Sequence, residues 1–460
     1  MGRPKRSGAA AFFDLDRTLL RGASGPVISK AMKAAGLLPD RANPLEPLIF
    51  GLFDLIGENW PTMMLTRQAA RVAKGWPRAT VAAIGDSVAP QLEAMVLPYA
   101  RAEIEMHRAA GRRLVLATTT PRDLVAPLAA RLGFDDLIAT RYGGDETTFH
   151  GTIDGEFVWG KAKARSVQAF AAEHDIDLAE SHAYSDSYYD VPLLSIVGSP
   201  HAINPDPRMA AVAALRRWPI TWFDVPVGVP KLAGLEPQTA LLAVARPELF
   251  AFARFRIYGH GRVPSFGPAI LVANHRSYFD PVAIAMMLGK VGRPVRFLGK
   301  KEVFDAPIVG DLARAMGGIR VDRGTGSSAP IKAAEDALAA GELVAIMPQG
   351  TIPRGLDFFD PELKGRWGAA KLAAATGAPV IPIGLWGTER VWPRSSKFPL
   401  VHQLLNPPAV TIRVGRPIAL DGADLDADTS TMMAAITELL PAAARRRHDP
   451  TPEELALTSP

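Results

Sequence analysis

Gly267-Pro268-Ala269-Ile270-Leu271-Val272-Ala273-Asn274-His275-Arg276-Ser277-Tyr278-Phe279-Asp280 is the stretch on which the fold turns. Its apolar half is short, β-rich and bounded by a glycine, the pattern of a buried strand. Such a strand delivers Asn274 and His275 to its carboxyl end, where open α/β sheets hold their chemistry. A helix starting near Ser277, ahead of the apolar run Val282 to Leu288, turns the Asp280 carboxylate back onto the imidazole. His275 then takes a proton from an alcohol while Asp280 fixes its tautomer. A surface histidine beside a helix-capping aspartate is the plainer account of the same spacing.

Downstream motifs decide between the two. Lys300-Lys301-Glu302 precedes Pro307 and Gly310, and then comes Gly318-Ile319-Arg320-Val321-Asp322-Arg323. The strand-like Leu343 to Met347 runs into Pro348-Gln349-Gly350-Thr351, and Gly377-Ala378-Pro379-Val380-Ile381-Pro382-Ile383 closes the series. In order and spacing this half, residues 245–447, resembles the glycerolipid acyltransferases typified by lysophosphatidate acyltransferase.

The resemblance implies an α/β domain in which an acceptor hydroxyl attacks an acyl-CoA or acyl carrier protein thioester directly. His275 is then the general base, Asp280 its partner, and Ser277 a helix cap. Arg320 and Arg323 are expected to fork onto the acceptor phosphate. Surface pairing with Asp322 is the other account of Arg320. The chain departs from the family where Glu-Gly-Thr-Arg is usual and Gln349-Gly350-Thr351-Ile352 stands instead. Gln349, Gly350 and Thr351 remain expected substrate contacts, and Arg354, Lys364 or Arg366 is the expected substitute for the missing cation. The most favoured acceptor is 1-acylglycerol-3-phosphate, giving phosphatidate, with another lysophospholipid head group as the alternative.

At 460 residues the chain exceeds one ordinary core, so a second domain is expected. It opens with the apolar run Ala10 to Phe13, ending in Asp14-Leu15-Asp16-Arg17-Thr18-Leu19. Arg113 to Ala117 is a second strand, ending in Thr118-Thr119-Thr120-Pro121. Lys163 opens a helical segment, and His182-Ala183-Tyr184 leads to Ser185-Asp186-Ser187-Tyr188-Tyr189-Asp190. Together these resemble the haloacid dehalogenase superfamily, in its phosphoserine phosphatase-like branch. That implies a Rossmann-like domain over residues 1–225 with a helical cap over about 22–109.

It also implies magnesium-dependent hydrolysis of a phosphomonoester through an aspartyl-phosphate. Asp14 is the expected nucleophile and Asp16 the acid and base. Thr118 and Lys163 contact the phosphoryl group, with Lys161 the competitor for the lysine role. Asp14, the Asp16 carbonyl, Asp186 and Asp190 hold Mg2+. Ser185 replaces a usual glycine and is expected to crowd the metal loop.

Composition bounds the rest. The chain is 48% hydrophobic and 22% charged, as globular proteins are, and has no cysteine for a disulfide or thiol nucleophile. A net charge of +5 suits an anionic surface, and no nucleic-acid-binding module accompanies it. No run of about 18 apolar residues suggests a membrane span; Pro47 to Phe53 and Leu241 to Phe255 come nearest. Nor does Met1 to Arg6 begin a secretory signal. The segment Gln238 to Tyr258 mixes aromatic and arginine residues, so it either lies in a bilayer interface or packs on its own domain. The expectation is a cytoplasmic enzyme held peripherally at the cytoplasmic membrane face, with a linker at 226–244 and a loose tail at 448–460. An acyltransferase with a regulatory first domain, and a non-enzymatic lipid-binding protein, are the remaining alternatives.

Overall fold

A computed structural model describes residues 8–39, 60–226, 228–231, 234–244, 246, 250–307, 309–322 and 329–459. The chain separates into two compact units, Met1–Val227 and Gly228–Pro460. Both are α/β, each built on a seven-stranded, mostly parallel sheet. Pro47 to Phe53 and Arg323 lie outside the described residues.

The strands of the first unit are β1 (Ala10–Phe13), β2 (Arg113–Pro121), β3 (Asp136–Gly144), β4 (Phe149–Asp154), β5 (His182–Ser185), β6 (Ser199–Ile203) and β7 (Ile220–Thr221). They are ordered β4-β3-β2-β1-β5-β6-β7, and β4 alone runs antiparallel to its neighbour. β1 lies between β2 and β5, pairing Phe13 with Leu116 on one side and Tyr184 on the other. Every β1 side chain is buried, as a central parallel strand covered on both faces requires. The register brings Asp14, Thr118 and Asp186 to one carboxyl edge.

Helices α1 (Gly25–Ala34), α2 (Trp60–Val72), α3 (Arg78–Ala94) and α4 (Ala100–Ala109) fall within the expected cap. The last of them does not serve as cap. On α4, His107 is fully buried against the sheet, with its ring edge-on to Phe13 at 5.9 Å and its Nε2 2.7 Å from the Tyr184 hydroxyl. Ala100 and Ile104 of the same helix are buried in that core as well. Helices α5 (Arg122–Arg131) and α6 (Lys161–Glu173) follow β2 and β4.

The second unit contains β8 (Arg254–Tyr258), β9 (Ala269–Ala273), β10 (Val295–Lys300), β11 (Ile319–Val321), β12 (Leu343–Ile346), β13 (Val380–Trp386) and β14 (Ala409–Val414), ordered β11-β10-β12-β9-β13-β14-β8. β9 is central and wholly buried, pairing parallel with β12 and β13. β14 turns antiparallel to β13.

Helix α7 (Pro237–Val244) corrects the expected linker. Gln238 is buried and exchanges hydrogen bonds with both main-chain groups of Val295, at 3.0 and 3.1 Å. The buried Arg296 guanidinium is shared between Glu236 and Glu342. Partners about 60 residues downstream make this segment part of the domain. The tail is not loose either. Thr451 and Glu454 form a capping box on the helix Pro452–Ala456, and buried Thr458 accepts a hydrogen bond from Gly355 N.

The Gln238 to Tyr258 alternative resolves toward packing for its three phenylalanines, while Tyr258 stays exposed. Phe250, Phe252 and Phe255 gather around buried Phe279 with ring centroids 6.0–6.4 Å away. Among the described residues no helix is long and apolar enough to cross a membrane.

Candidate functional sites

The carboxyl edge of the first sheet carries a charge network. Lys163, in the first turn of α6, is 1% exposed, and its Nζ lies 2.7 Å from both Asp14 Oδ1 and Asp190 Oδ2. Lys161 is exposed, so it is Lys163 that reaches the carboxylates. Asp186 Oδ1 accepts from Thr18 Oγ1 at 3.2 Å, its main-chain N donates to the same oxygen, and Arg17 Nε lies 3.1 Å from Oδ2. Ser185 does not crowd the loop but braces it: its hydroxyl donates to Asp190 Oδ2 at 2.7 Å and accepts from Ser187 N.

Asp16 points elsewhere. It accepts from Ser24 N and from Thr120 Oγ1, the latter at 3.2 Å. Burial raises its pKa, opposed by these hydrogen bonds and by the charge of Lys163, and a raised carboxyl is suited to hold a transferable proton. Thr118 is buried and accepts from Thr120 N at 3.2 Å. Ser24 and Thr120 were not singled out in sequence. Thr120 stood two residues from an expected site residue, but Ser24 carries no signal of its own.

The donor chemistry fits Mg2+. The side-chain donors are oxygens only, and buried Asp190 Oδ1 has no hydrogen-bond partner. Among the described residues, no three His, Cys, Asp or Glu side chains are gathered into a cluster able to hold an ion. Lys163 bridges two of the carboxylates and Arg17 is paired with the third.

In the second unit, helix α8 (Asp280–Gly289) starts three residues later than expected. The turn before it is built on one oxygen. Asp280 Oδ2 accepts from Arg276 N at 2.7 Å and Ser277 N at 2.8 Å, and lies 2.8 Å from His275 Nδ1. Asp280 is fully buried while the His275 side chain is 17% exposed, so the imidazole keeps an open face. Ser277 acts structurally, accepting from Phe279 N and donating to Trp392 O at 2.6 Å. Asn274 pairs by its amide with both main-chain groups of Leu385 on β13.

Gln349 Oε1 accepts from His275 N at 2.6 Å, which gives the amide at that position a definite task. Gly350 follows with φ +69°, a left-handed turn that favours glycine. Thr351 Oγ1 accepts from Lys300 Nζ at 3.0 Å. Ile352 is buried, and its carbonyl accepts from Arg394 Nη1 at 3.0 Å; Arg394 Nε is buried without a hydrogen-bond partner. Arg354, Lys364 and Arg366 are exposed. Arg320 is exposed and paired with Asp305 and Asp322, both at 2.9 Å, as the surface-pairing account of it expects. Among the described residues, Lys300 and Arg394 reach the third motif with their side chains, and Arg394 was missed because it lies 42 residues from Ile352. Arg276 was also missed. Its guanidinium pairs with Glu389 and stacks over Phe358 and Trp386 at 4.2 and 4.3 Å.

Comparison with known proteins matches residues 11–195 to the haloacid dehalogenase-like hydrolase family and residues 254–386 to the acyltransferase family. The inhibition of morphological differentiation protein of Streptomyces azureus is 35% identical over 51% of this chain and 87% of its own length. Phosphoserine phosphatase SerB1 of Mycobacterium tuberculosis is 32% identical over 51% of this chain and 79% of its own. Among solved structures, the 1-acyl-sn-glycerophosphate acyltransferase PlsC of Thermotoga maritima is 22% identical. It covers 44% of this chain and 79% of its own, with a TM-score of 0.34.

Proposed function

Because the chain belongs to the haloacid dehalogenase-like hydrolases and joins an acyltransferase domain to that one, we propose two reactions at two separate centres. In the first, an Asp14 oxygen attacks phosphorus, the O–P bond to the leaving alkoxide breaks, and Asp16 supplies the alkoxide's proton. Asp16 then takes a proton from the water that attacks the aspartyl-phosphate, restoring Asp14. Thr118 and Lys163 bind phosphoryl oxygens. Asp14, Asp186, Asp190 and the Asp16 carbonyl would hold Mg2+, which when bound neutralises phosphoryl charge.

In the second, His275 Nε2 removes the acceptor's hydroxyl proton as that oxygen attacks the thioester carbonyl of acyl-CoA or acyl carrier protein. The C–S bond breaks and the imidazolium protonates the departing thiolate. Asp280 holds Nδ1–H and stabilises the cation. The acceptor is 1-acylglycerol-3-phosphate and the product phosphatidate, with Lys300 and Arg394 as the phosphate clamp in place of the family arginine. Arg323 remains a further proposed contact. The enzyme works at the cytoplasmic face of a membrane, where such acceptors reside.

The observation that carries the reading is the 2.8 Å contact between His275 Nδ1 and the fully buried Asp280, whose same oxygen takes two main-chain N–H groups. An exposed histidine with a capping aspartate would not need that burial. The test is a pair of assays on the whole chain: Mg2+-dependent hydrolysis of p-nitrophenyl phosphate, and acyl-CoA consumption with lysophosphatidate. Asp14→Asn should abolish the first alone, and His275→Ala should lower the second alone by about 10²–10⁴-fold. A His275→Ala variant with full transfer activity overturns the proposed base.

A further inference from the structure

With Phe250, Phe252 and Phe255 turned inward, the densest exposed apolar stretch of the second unit lies elsewhere. It concentrates after β13, in the connection running from Arg390 to Asn406. Phe398 is 76% exposed, Val401 53%, Leu404 58% and Leu405 completely. Four large apolar side chains open to water within eight residues are a cost that a soluble surface ordinarily avoids. The same stretch exposes Arg390 and Lys397, and no Asp or Glu occurs from Arg390 to Leu420. Apolar groups interleaved with cations alone match a surface that is greasy below and anionic above.

This connection is tied to the proposed acyl-transfer centre. β13 runs parallel to β9, so the connection leaves the sheet at the edge that carries His275. The Ser277 hydroxyl donates to Trp392 O, Leu400 N donates to Val391 O, and Arg394 holds the Ile352 carbonyl. Tyr278, itself 45% exposed, packs edge-on to Trp392 at 5.8 Å. On the other side of the site, the helix Val309–Ala315 leaves Val309 and Leu312 exposed.

We infer that the Arg390–Asn406 connection is the surface by which this chain sits on an anionic bilayer, with Phe398 and Leu405 entering the acyl boundary and Lys397 meeting lipid phosphates. The inference rests on the proposed reading of the second unit as a lipid acyltransferase. It goes beyond that reading by naming the contact surface. Seated this way, the His275 edge faces the lipid, and an acceptor needs to rise only partly from the membrane to reach the imidazole.

The experiment is sedimentation of the whole chain with vesicles of three parts phosphatidylcholine to one part phosphatidylglycerol. Wild type should bind, and binding should weaken with added salt. The double variant Phe398→Ser/Leu405→Ser should bind at least tenfold more weakly, while Lys397→Glu should bind more weakly and lose salt sensitivity. Acyl transfer to a short-chain lysophosphatidate kept below its micellar concentration should stay within twofold of wild type, which also reports intact folding. Wild type failing to bind, or the double variant binding equally, overturns the inference. So does light scattering that finds a wild-type dimer dissociated by the double variant, since the patch would then hold a second copy of this chain. Absence of acyl transfer by wild type to any lysolipid, with vesicle binding intact and lost in the double variant, would instead sink the proposed reaction.

Discussion

The two candidate centres sit at the same place on similar sheets but are assembled in opposite ways. In the first unit the carboxylates come from the ends of two strands, Asp14 after β1 and Asp186 and Asp190 after β5, and are balanced by Lys163 and Arg17. In the second, His275 and Asp280 belong to one six-residue turn, and the carboxylate is met largely by main-chain N–H groups of that turn. The first is a network of buried charges in which each member compensates another. The second is a self-contained dyad. A change in the dyad should therefore touch catalysis and spare the fold, whereas a change in the network should touch both.

Asp280→Asn sharpens that contrast most. The amide oxygen can still accept from Arg276 N and Ser277 N, so the turn survives. The amide loses the negative charge that selects the Nδ1–H tautomer and stabilises the imidazolium. Acyl transfer should fall by roughly 10⁴-fold, as when the orienting carboxylate of a catalytic triad is neutralised. Unfolding of the second unit should shift by only about 1 kcal/mol. Urea denaturation alongside the transfer assay separates the two, and a large loss of stability would show the dyad to be structural.

Lys163→Ala is the counterpart in the network. It removes a phosphoryl contact and leaves Asp14 and Asp190 close together without their shared cation. Phosphomonoester hydrolysis should drop by about 10³-fold. The first unit should also lose about 3–5 kcal/mol, the cost of stranding one side of a buried pair. If turnover fell with stability unchanged, the two centres would not differ in the way argued above.

Arg394→Ala should have a smaller effect confined to binding. Losing one charge-assisted contact, worth about 1.5–3 kcal/mol, should raise KM for an anionic acceptor roughly 10- to 100-fold with kcat little changed. An acceptor without a phosphate should not respond. Equal effects on both acceptors would assign Arg394 to support of the Ile352 loop.

The same contrast governs what was legible in the chain. His275 and Asp280 lie five residues apart, so local spacing could raise the dyad and the downstream motifs could decide for it. Strand runs such as Ala10 to Phe13 and Ala269 to Ala273 mark the centres of their sheets, because burial on both faces leaves an unbroken apolar signature. Lys163 was legible only as part of an ordered set of motifs. Arg394, Ser24 and Glu236 were not legible. Each acts through a partner brought near by folding, and nothing local distinguishes an arginine aimed at Ile352 from one in water. Arg320 shows the converse, an arginine in a suggestive motif that folding places between Asp305 and Asp322.

The mildest test concerns the packing beneath the network. His107 on α4 meets His182 on β5 edge-on at 4.6 Å, and His182 stacks on His201 of β6 at 5.6 Å, next to the Tyr184 hydroxyl. Burial, and then the neighbouring histidine and Arg112 charges, push His107 down to about 3; burial and His182 push His201 down to about 4. In the unfolded chain both titrate near 6.5. The folded state therefore holds fewer protons, so its stability is intact above pH 6.5 and is lost as pH falls from there toward 4. For His107 the loss is on the order of 1 kcal/mol per pH unit below 6. Amide hydrogen exchange of β5 at pH 7 and pH 5, with each pH's intrinsic rate divided out, reads this directly. Protection should fall more in wild type than in His107→Gln, and equal losses would show that the acid response arises in the carboxylates rather than in the histidine stack.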